Sequence, residues 1–291
     1  MIWVVGCCGM LGREFAAAFE RAGIAYTGTG SETDVTDKNT VLSFISGKNF
    51  KYIINCSAYT AVDKAESEED RAMLINRDGV LNLALAAKQT DAVLIHFSTD
   101  YVFDGDSSEP YKETDDTNPV SAYGRTKLAG EKALTGVIDR YFIFRISWLY
   151  GRFGGNFVAT MIRLMNERDT LGVVDDQKGS PTYTECLAEN IVRLINSGSN
   201  KYGVYHYSDE GVISWYDFSA AIYRLGVEKG LIHKDVELRG ISTDMYPTAA
   251  KRPRMSAFNK DKVRALGIFK INRWEDNLAD YLDNMVASEN I

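Results

Sequence analysis

The sequence is poor in the residues that staple, ligate or embed a protein. No run of about 18 apolar residues occurs anywhere in its 291 positions, which excludes a conventional membrane-spanning helix. Four cysteines, Cys7, Cys8, Cys56 and Cys186, show neither zinc-ligand spacing nor a disulfide framework, so reduced thiols in a cytoplasmic protein are expected. The three histidines, His96, His206 and His233, are scattered, which argues against a metal centre built on imidazole. Basic charge is also short, with 33 Lys+Arg against 40 Asp+Glu and a formal net charge of −7. Nucleic acid and membrane surfaces call for a basic face, so neither is an expected partner. A small anionic ligand needs only a local cluster of donors and stays open. The first residues, MIWVVGCCG, lack a basic leader and carry a glycine inside the apolar run. They read as a buried strand, not a signal peptide.

What is present is an ordinary globular balance, 45% hydrophobic and 25% charged, enough to bury a real core. In the first half, short apolar runs alternate with amphipathic stretches. Strands are predicted at 2–5, 25–29, 52–55, 92–98 and 141–147, with helices over 11–22, 68–89 and 122–134. This rhythm predicts an α/β fold, a doubly wound parallel sheet of the Rossmann type. After Tyr150 the pattern changes to helices over 157–166 and 185–196 and a strand at 204–207, then short helices and loops from Gly211 onward. A smaller, interleaved α+β substrate-binding domain is expected there. The predicted division is 1–150 with 184–210 for the cofactor domain, and 151–183 with 211–291 for the substrate domain.

Gly6, Gly9 and Gly12 follow the first strand and open the first helix. In such a turn the first glycine permits the bend, the second admits a pyrophosphate, and the third lets helix and strand pack. A plain strand–turn–helix would explain three glycines; their place in a βαβ unit favours a dinucleotide. The second strand ends Gly28-Thr29-Gly30-Ser31, with no carboxylate before Glu32, expected beyond the strand tip. A small, hydroxyl-bearing tip leaves room for a 2′-phosphate, which leans the cofactor to NADPH and leaves NADH open.

Tyr123 and Lys127 stand four apart at the start of a predicted helix and share a face. With 16 tyrosines in the chain, chance supplies about one Tyr-x-x-x-Lys match, so the spacing alone is weak. Its position is informative, because it follows Ser98-Thr99-Asp100-Tyr101, where a strand ends in hydroxyls. Hydride delivery to a ketone leaves an alkoxide that must take a proton. A tyrosine can supply it if a nearby cation such as Lys127 stabilises the phenolate, while a threonine or serine hydroxyl orients the carbonyl.

At these residues the chain resembles the extended short-chain dehydrogenase/reductases and, more narrowly, the dTDP-4-dehydrorhamnose reductase family. The stretches that carry the resemblance are NCSAYTAVDKAE, FSTDYVFDG, NPVSAYGRTKLAGE, RISWLYG, GGNFVATM, DQKGSPTYTECLA and YPTAAKRPRMS, spread over nearly the whole chain. The resemblance implies an oxidoreductase that reduces the 4-keto group of dTDP-6-deoxy-L-lyxo-4-hexulose to dTDP-L-rhamnose, for polysaccharide biosynthesis. By matching motif, it implies that Thr99, Tyr123 and Lys127 are catalytic. It puts Gly6, Gly9, Met10, Leu11, Gly12, Asp34, Val35, Ser57, Ala58 and Tyr59 against the cofactor. Thr60, Val62, Tyr101, Phe103, Trp148, Asn156 and Arg252 are implied to line a sugar-nucleotide pocket. Glu14, Glu185 and Glu189 match positions where family members can bind magnesium, with solvated helix carboxylates as the equal alternative. A monomer or homodimer is expected.

Two features depart from the family pattern. Cys7-Cys8 occupies turn positions that usually hold small or polar residues, and Cys56 replaces a usual alanine; buried fillers are favoured over a regulatory thiol cluster. Other readings of the chain are a different nucleotide-sugar 4-ketoreductase, an epimerase, or a non-catalytic subunit like the regulatory subunit of methionine adenosyltransferase. An epimerase usually has an acidic second-strand tip, and a pure binding module has no need of the acid pair.

Overall fold

The computed structural model describes residues 1–289. Its centre is a six-stranded sheet. The strands β1 (Ile2–Val5), β2 (Tyr26–Thr29), β3 (Tyr52–Asn55), β4 (Val93–Thr99) and β5 (Tyr141–Ile146) are joined at the edge by Gly203–Tyr207. The spatial order is Gly203–Tyr207, β5, β4, β3, β1, β2, and every neighbouring pair is parallel. Parallel strands covered on both faces are mainly apolar, and all seven residues of β4 are buried, His96, Ser98 and Thr99 among them. Chain order reverses between β1 and β3, so a crevice opens there at the carboxyl ends of the strands.

Alternation along the strands sorts their side chains into two cores. Ile2, Val4, Ile54, Phe97 and Phe144 meet Phe15 and Phe19 of the helix α1 (Met10–Ala22), together with Leu187 and Ile191 of the helix Thr184–Ser197. Trp3, Ile53, Leu94 and Ile143 face the other way, against Val41, Leu83 and Leu134. Full burial of a side chain such as Phe15 is worth roughly 1.5–3 kcal/mol relative to exposure. A third core joins Tyr150, Met161, Tyr183, Phe218, Trp274 and Leu278 from the later part of the chain.

Three elements differ from expectation. The long helix foreseen over 68–89 is interrupted: helices Glu69–Met73 and Val80–Thr90 flank a π-helical turn, Leu74–Gly79. Asn76 sits in that turn, buried, with its side chain bonded to Tyr59 and Thr126 and not to solvent. Helix Lys38–Ile45, capped by Asp37, was not foreseen. The region after Gly211 holds two long helices, Trp215–Glu228 and Trp274–Glu289, where short ones were expected. The first carries a capping box between Ser214 and Asp217, a signal present in the sequence but overlooked. Among the described residues, no helix is long and apolar enough to cross a membrane.

Candidate active site

The glycine turn has the shape of a phosphate cradle. Gly6 adopts a positive φ of 74°, and a Cβ added to Gly12 would collide with the Gly6 carbonyl oxygen. Gly9 is the N-cap of α1 in extended conformation and offers no side-chain cap. The helix therefore begins with N–H groups unclaimed by a cap, directed at the crevice, which is the donor set a pyrophosphate requires. The residues present fit a nicotinamide dinucleotide.

The other expected cofactor residues lie on α1, after β3 and beyond β2. Met10 and Leu11 lie in the first turn of α1, and Ser57, Ala58 and Tyr59 follow β3. Asn55 accepts hydrogen bonds from both the amide and the hydroxyl of Ser57, at 2.9 and 2.6 Å. Asn76 clamps Tyr59 through its amide and carbonyl, at 2.9 and 3.1 Å. Val35 is buried and exposed Asp34 turns its carboxylate onto Thr36, at 2.9 Å to the amide and 2.8 Å to the hydroxyl. At the tip of β2 the finding differs from expectation. Glu32 lies beyond the strand, yet its carboxylate folds back and accepts the Gly30 amide at 2.6 Å, which pulls its pKa below the ordinary value.

Of the three clustered cysteines, only Cys8 departs from the filler expectation. Cys8 is exposed, Cys7 is half-buried, and their sulfurs are 3.8 Å apart. Cys56 packs in the core beside Cys7, and burial pushes its thiol pKa well up.

Thr99 ends β4, and helix Ala122–Thr135 brings Tyr123 and Lys127 beside it. Ser121 caps this helix by accepting the Gly124 amide at 3.2 Å. Gly124 permits the close approach, since a Cβ there would strike the Tyr101 carbonyl. Lys127 is buried and donates to the Phe97 carbonyl at 2.6 Å. Burial pushes its pKa down to about 8, with Glu131 partly opposing. Tyr123 is half-buried and its pKa is raised by desolvation, against a lowering by the Thr99 hydroxyl. Thr99 in turn donates to Asp100 Oδ1 at 2.9 Å and accepts the Tyr101 amide at 3.2 Å.

A cavity of about 500 Å³ opens beside this constellation, lined by Tyr101, Met161, Gln177, Trp215, Tyr246 and Arg252 among others. Tyr101 links cavity and acid pair, its ring edge-on to Tyr123 at 5.6 Å. Arg252 donates to Tyr101 Oη at 2.8 Å and to Asp63 Oδ2 at 2.7 Å. Trp148 stacks on Trp215 with centroids 3.5 Å apart. It holds a positive φ of 48°, a conformation that costs a bulky residue about 1–3 kcal/mol and gathers at functional sites. Thr60 is exposed and Val62 half-buried after the Tyr59 loop.

Two expected pocket residues offer little to a ligand. Phe103 is fully buried, stacked on Tyr111 at 4.1 Å. Asn156 caps helix Phe157–Glu167 through its Oδ1, and its Nδ2 donates to Gly151 O and Tyr281 Oη.

The magnesium expectation is corrected. Among the described residues no group of three or more His, Cys, Asp or Glu is arranged to hold a metal. Glu14 is fully buried, not solvated, with one oxygen on Arg152 at 2.6 Å and the other on Thr184 at 3.2 Å. Glu185 is held by Arg21 and Tyr183, and exposed Glu189 lies 4.0 Å from Arg193. Arginine supplies the positive charge that a cation would have brought. The residues that sequence reasoning missed are Asp63, Asp100 and Asn76. Asp63 and Asp100 sit inside the motif stretches; Asn76 had no signal, because a π turn has no sequence period of its own.

Comparison with known proteins agrees with this geometry. Residues 1–287 match the family model described as the RmlD substrate binding domain. The chain is 40% identical over 276 residues to the dTDP-4-dehydrorhamnose reductase of Aggregatibacter actinomycetemcomitans, covering 91% of this chain and 92% of that one. A crystal structure of a dTDP-4-dehydrorhamnose reductase from Clostridium acetobutylicum superposes with a TM-score of 0.92 at 38% identity, covering 98% and 99% of the two chains. The Bacillus anthracis enzyme of that name, solved in complex with NADP, gives a TM-score of 0.91 at 36% identity, covering 97% and 98%. From the glycine turn to the last helices, the chain belongs to the RmlD substrate-binding-domain family.

Proposed function

We propose that this chain reduces the 4-keto group of dTDP-6-deoxy-L-lyxo-4-hexulose to give dTDP-L-rhamnose, with NADPH as reductant. The activity is that of its relatives, an oxidoreductase acting on a nucleotide sugar. The observation that carries the reading is the convergence of Thr99, Tyr123 and Lys127 at the carboxyl end of β4, beside a glycine-turn cradle and a cavity large enough for a sugar nucleotide. Nothing about a binding module requires that acid set.

A bound NADPH supplies the hydride. Tyr123 donates the proton that the ketone oxygen needs, and Thr99 fixes that oxygen by hydrogen bonding. Lys127 orients the cofactor's ribose and stabilises the tyrosinate that forms. The turn Gly6, Gly9, Met10, Leu11 and Gly12 holds the pyrophosphate, with Asp34, Val35, Ser57, Ala58 and Tyr59 along the dinucleotide. Trp148 gives the deoxysugar a flat apolar surface, and Thr60, Val62, Tyr101 and Arg252 take the rest, Arg252 pairing with the diphosphate. In the same proposal, 1–150 with 184–210 serve the cofactor, and 151–183 with 211–291 serve the sugar nucleotide. NADPH is favoured by the small β2 tip, while the folded-back carboxylate of Glu32 favours some use of NADH.

The test is to incubate the protein with dTDP-4-keto-6-deoxysugar and NADPH or NADH, follow nicotinamide absorbance and identify the product. A rhamnosyl product with a lower KM for NADPH supports the reading. No turnover on any 4-ketosugar nucleotide overturns it.

A further inference from the structure

Asp100 is buried at the floor of the site, 2% exposed, immediately after the threonine that faces the reaction centre. Its Oδ1 takes the Thr99 hydroxyl hydrogen at 2.9 Å, and its Oδ2 makes no hydrogen bond of good geometry among the described residues, with the Ser256 hydroxyl the polar group beside the carboxyl. A buried carboxylate oxygen left bare is a costly arrangement, and native structures keep such groups for a reason. The bookkeeping of Thr99 Oγ1 shows the consequence. It accepts the Tyr101 amide at 3.2 Å, and its single hydrogen lies on Asp100 at 2.9 Å, in competition with the Tyr123 hydroxyl beside it. A threonine in that state has no hydrogen left for a ketone oxygen.

We propose that Asp100 is a positioning residue that must be protonated for catalysis, because only then does it donate to Thr99 Oγ1 and release the threonine hydrogen toward the reacting oxygen. This rests on the reductase reading above and deepens it. In the ionised state the hydrogen points from Thr99 to the carboxylate, and the reacting oxygen meets only the tyrosine. In the protonated state the hydrogen bond reverses, and threonine and tyrosine together form a two-donor hole around the oxygen on which negative charge develops.

The surroundings suit such a group. Facing the carboxyl are Tyr101 on its own turn, Tyr123 from the catalytic helix and Ser256 from the C-terminal segment, with the Arg252 guanidinium beyond Tyr101. Desolvation pushes its pKa up to about 6, with Ser256 and Thr99 drawing it back. A sugar nucleotide seated on Tyr101 excludes more water and favours the protonated form further. The isosteric amide separates this role from a structural one. Asparagine donates through Nδ2 at every pH, so it mimics the acid form permanently, whereas alanine donates at none.

The experiment is a pH profile of kcat/KM for the whole protein with NADPH and dTDP-4-keto-6-deoxysugar, comparing wild type, Asp100→Asn, Asp100→Ala and Thr99→Val. Cofactor affinity is measured alongside by nicotinamide fluorescence. Wild type is expected to fall at least about fivefold between about pH 6 and 8, and Asp100→Asn less than about twofold. Asp100→Ala, which removes the acceptor of the Thr99 hydrogen, should also lack the limb, while binding NADPH as tightly as wild type does. Thr99→Val, slow at every pH, should also lack the limb, and serves if Asp100→Asn fails to fold. Retention of the wild-type limb in Asp100→Asn, in Asp100→Ala or in Thr99→Val overturns the proposal. Absence of turnover in wild type would instead count against the reductase reading.

Discussion

Arg252 and Asp63 lie 189 positions apart in the chain and are joined by a bond of 2.7 Å from Nη2 to Oδ2. The other oxygen of Asp63 accepts the Ala250 amide at 3.1 Å, so one carboxylate near the cofactor loop holds the late segment that brings in the arginine. The fork is thereby aimed before any anion arrives, and less ordering remains for the binding step.

Arg252→Ala should therefore raise KM for the sugar nucleotide by about 10- to 100-fold, the loss of charge-assisted hydrogen bonds worth about 1.5–3 kcal/mol, with kcat within about threefold. Arg252→Lys should recover only part, since an ammonium cannot keep both Tyr101 and a diphosphate in a planar fork. Steady-state kinetics against sugar nucleotide decides it; an unchanged KM would remove Arg252 from the pocket.

Tyr123→Phe should lower kcat by about 10²- to 10⁴-fold, the usual contribution of a positioned acid, and leave the dissociation constant for NADPH within about twofold. Lys127→Ala should weaken both. Its ammonium is anchored on the Phe97 carbonyl, so removing it takes a hydrogen-bond donor and a positive charge from the buried floor. Fluorescence titration beside initial rates separates the two effects.

Glu32→Gln should shift the ratio of kcat/KM toward NADPH by about fivefold, because a carboxylate at the β2 tip repels a 2′-phosphate and the amide does not. The same ratio measured in high salt should shift less. An unchanged ratio would place the ribose away from the Gly30 amide that Glu32 now occupies.

Asp100→Asn should also change stability, with a definite sign. The folded pKa of about 6 lies above the ordinary value of 3.8, so the folded state holds its proton more tightly. That contribution is complete below the unfolded pKa and is lost as pH rises through 6. At pH 8 the amide should therefore exceed wild type by up to about 3 kcal/mol, and the difference should vanish near pH 3.5. Urea denaturation at the two pH values gives the comparison; a gain of equal size at both would refute the titration.

Cys8 should be the first thiol to react with an alkylating reagent, because it is exposed while Cys56 is half-buried against the core and its thiol is held protonated. The adduct stands between Gly6 and Gly9, so it should abolish NADPH binding, and NADPH should protect. Peptide mass spectrometry with a binding assay tests both statements; alkylated protein that still binds NADPH would put the cofactor elsewhere.

Local chemistry along the chain determined the sheet strands, the glycine turn, and the order in which Thr99, Tyr123 and Lys127 follow a strand end. Each depends on neighbours within a few positions: an apolar run buried on both faces, a turn that admits no Cβ, two residues four apart on a helix. Tertiary structure decided the rest. Periodicity ran through 68–89 as one helix, but Asn76 can bond Tyr59 and Thr126 only if the helix widens, so packing overrode the local signal. Counting put Glu32 beyond β2, whereas a free backbone amide at Gly30 drew the carboxylate back to the tip. The resemblance set Glu14 and Glu185 out for a metal; folding brought Arg152 and Arg21 to them first. Asp63 and Asp100 were visible as letters in recognised stretches, yet their work depends on what lies across from them: an arginine 189 positions away and a hydroxyl with one hydrogen to give. A sequence states which groups exist. The fold decides where each hydrogen and each charge is spent.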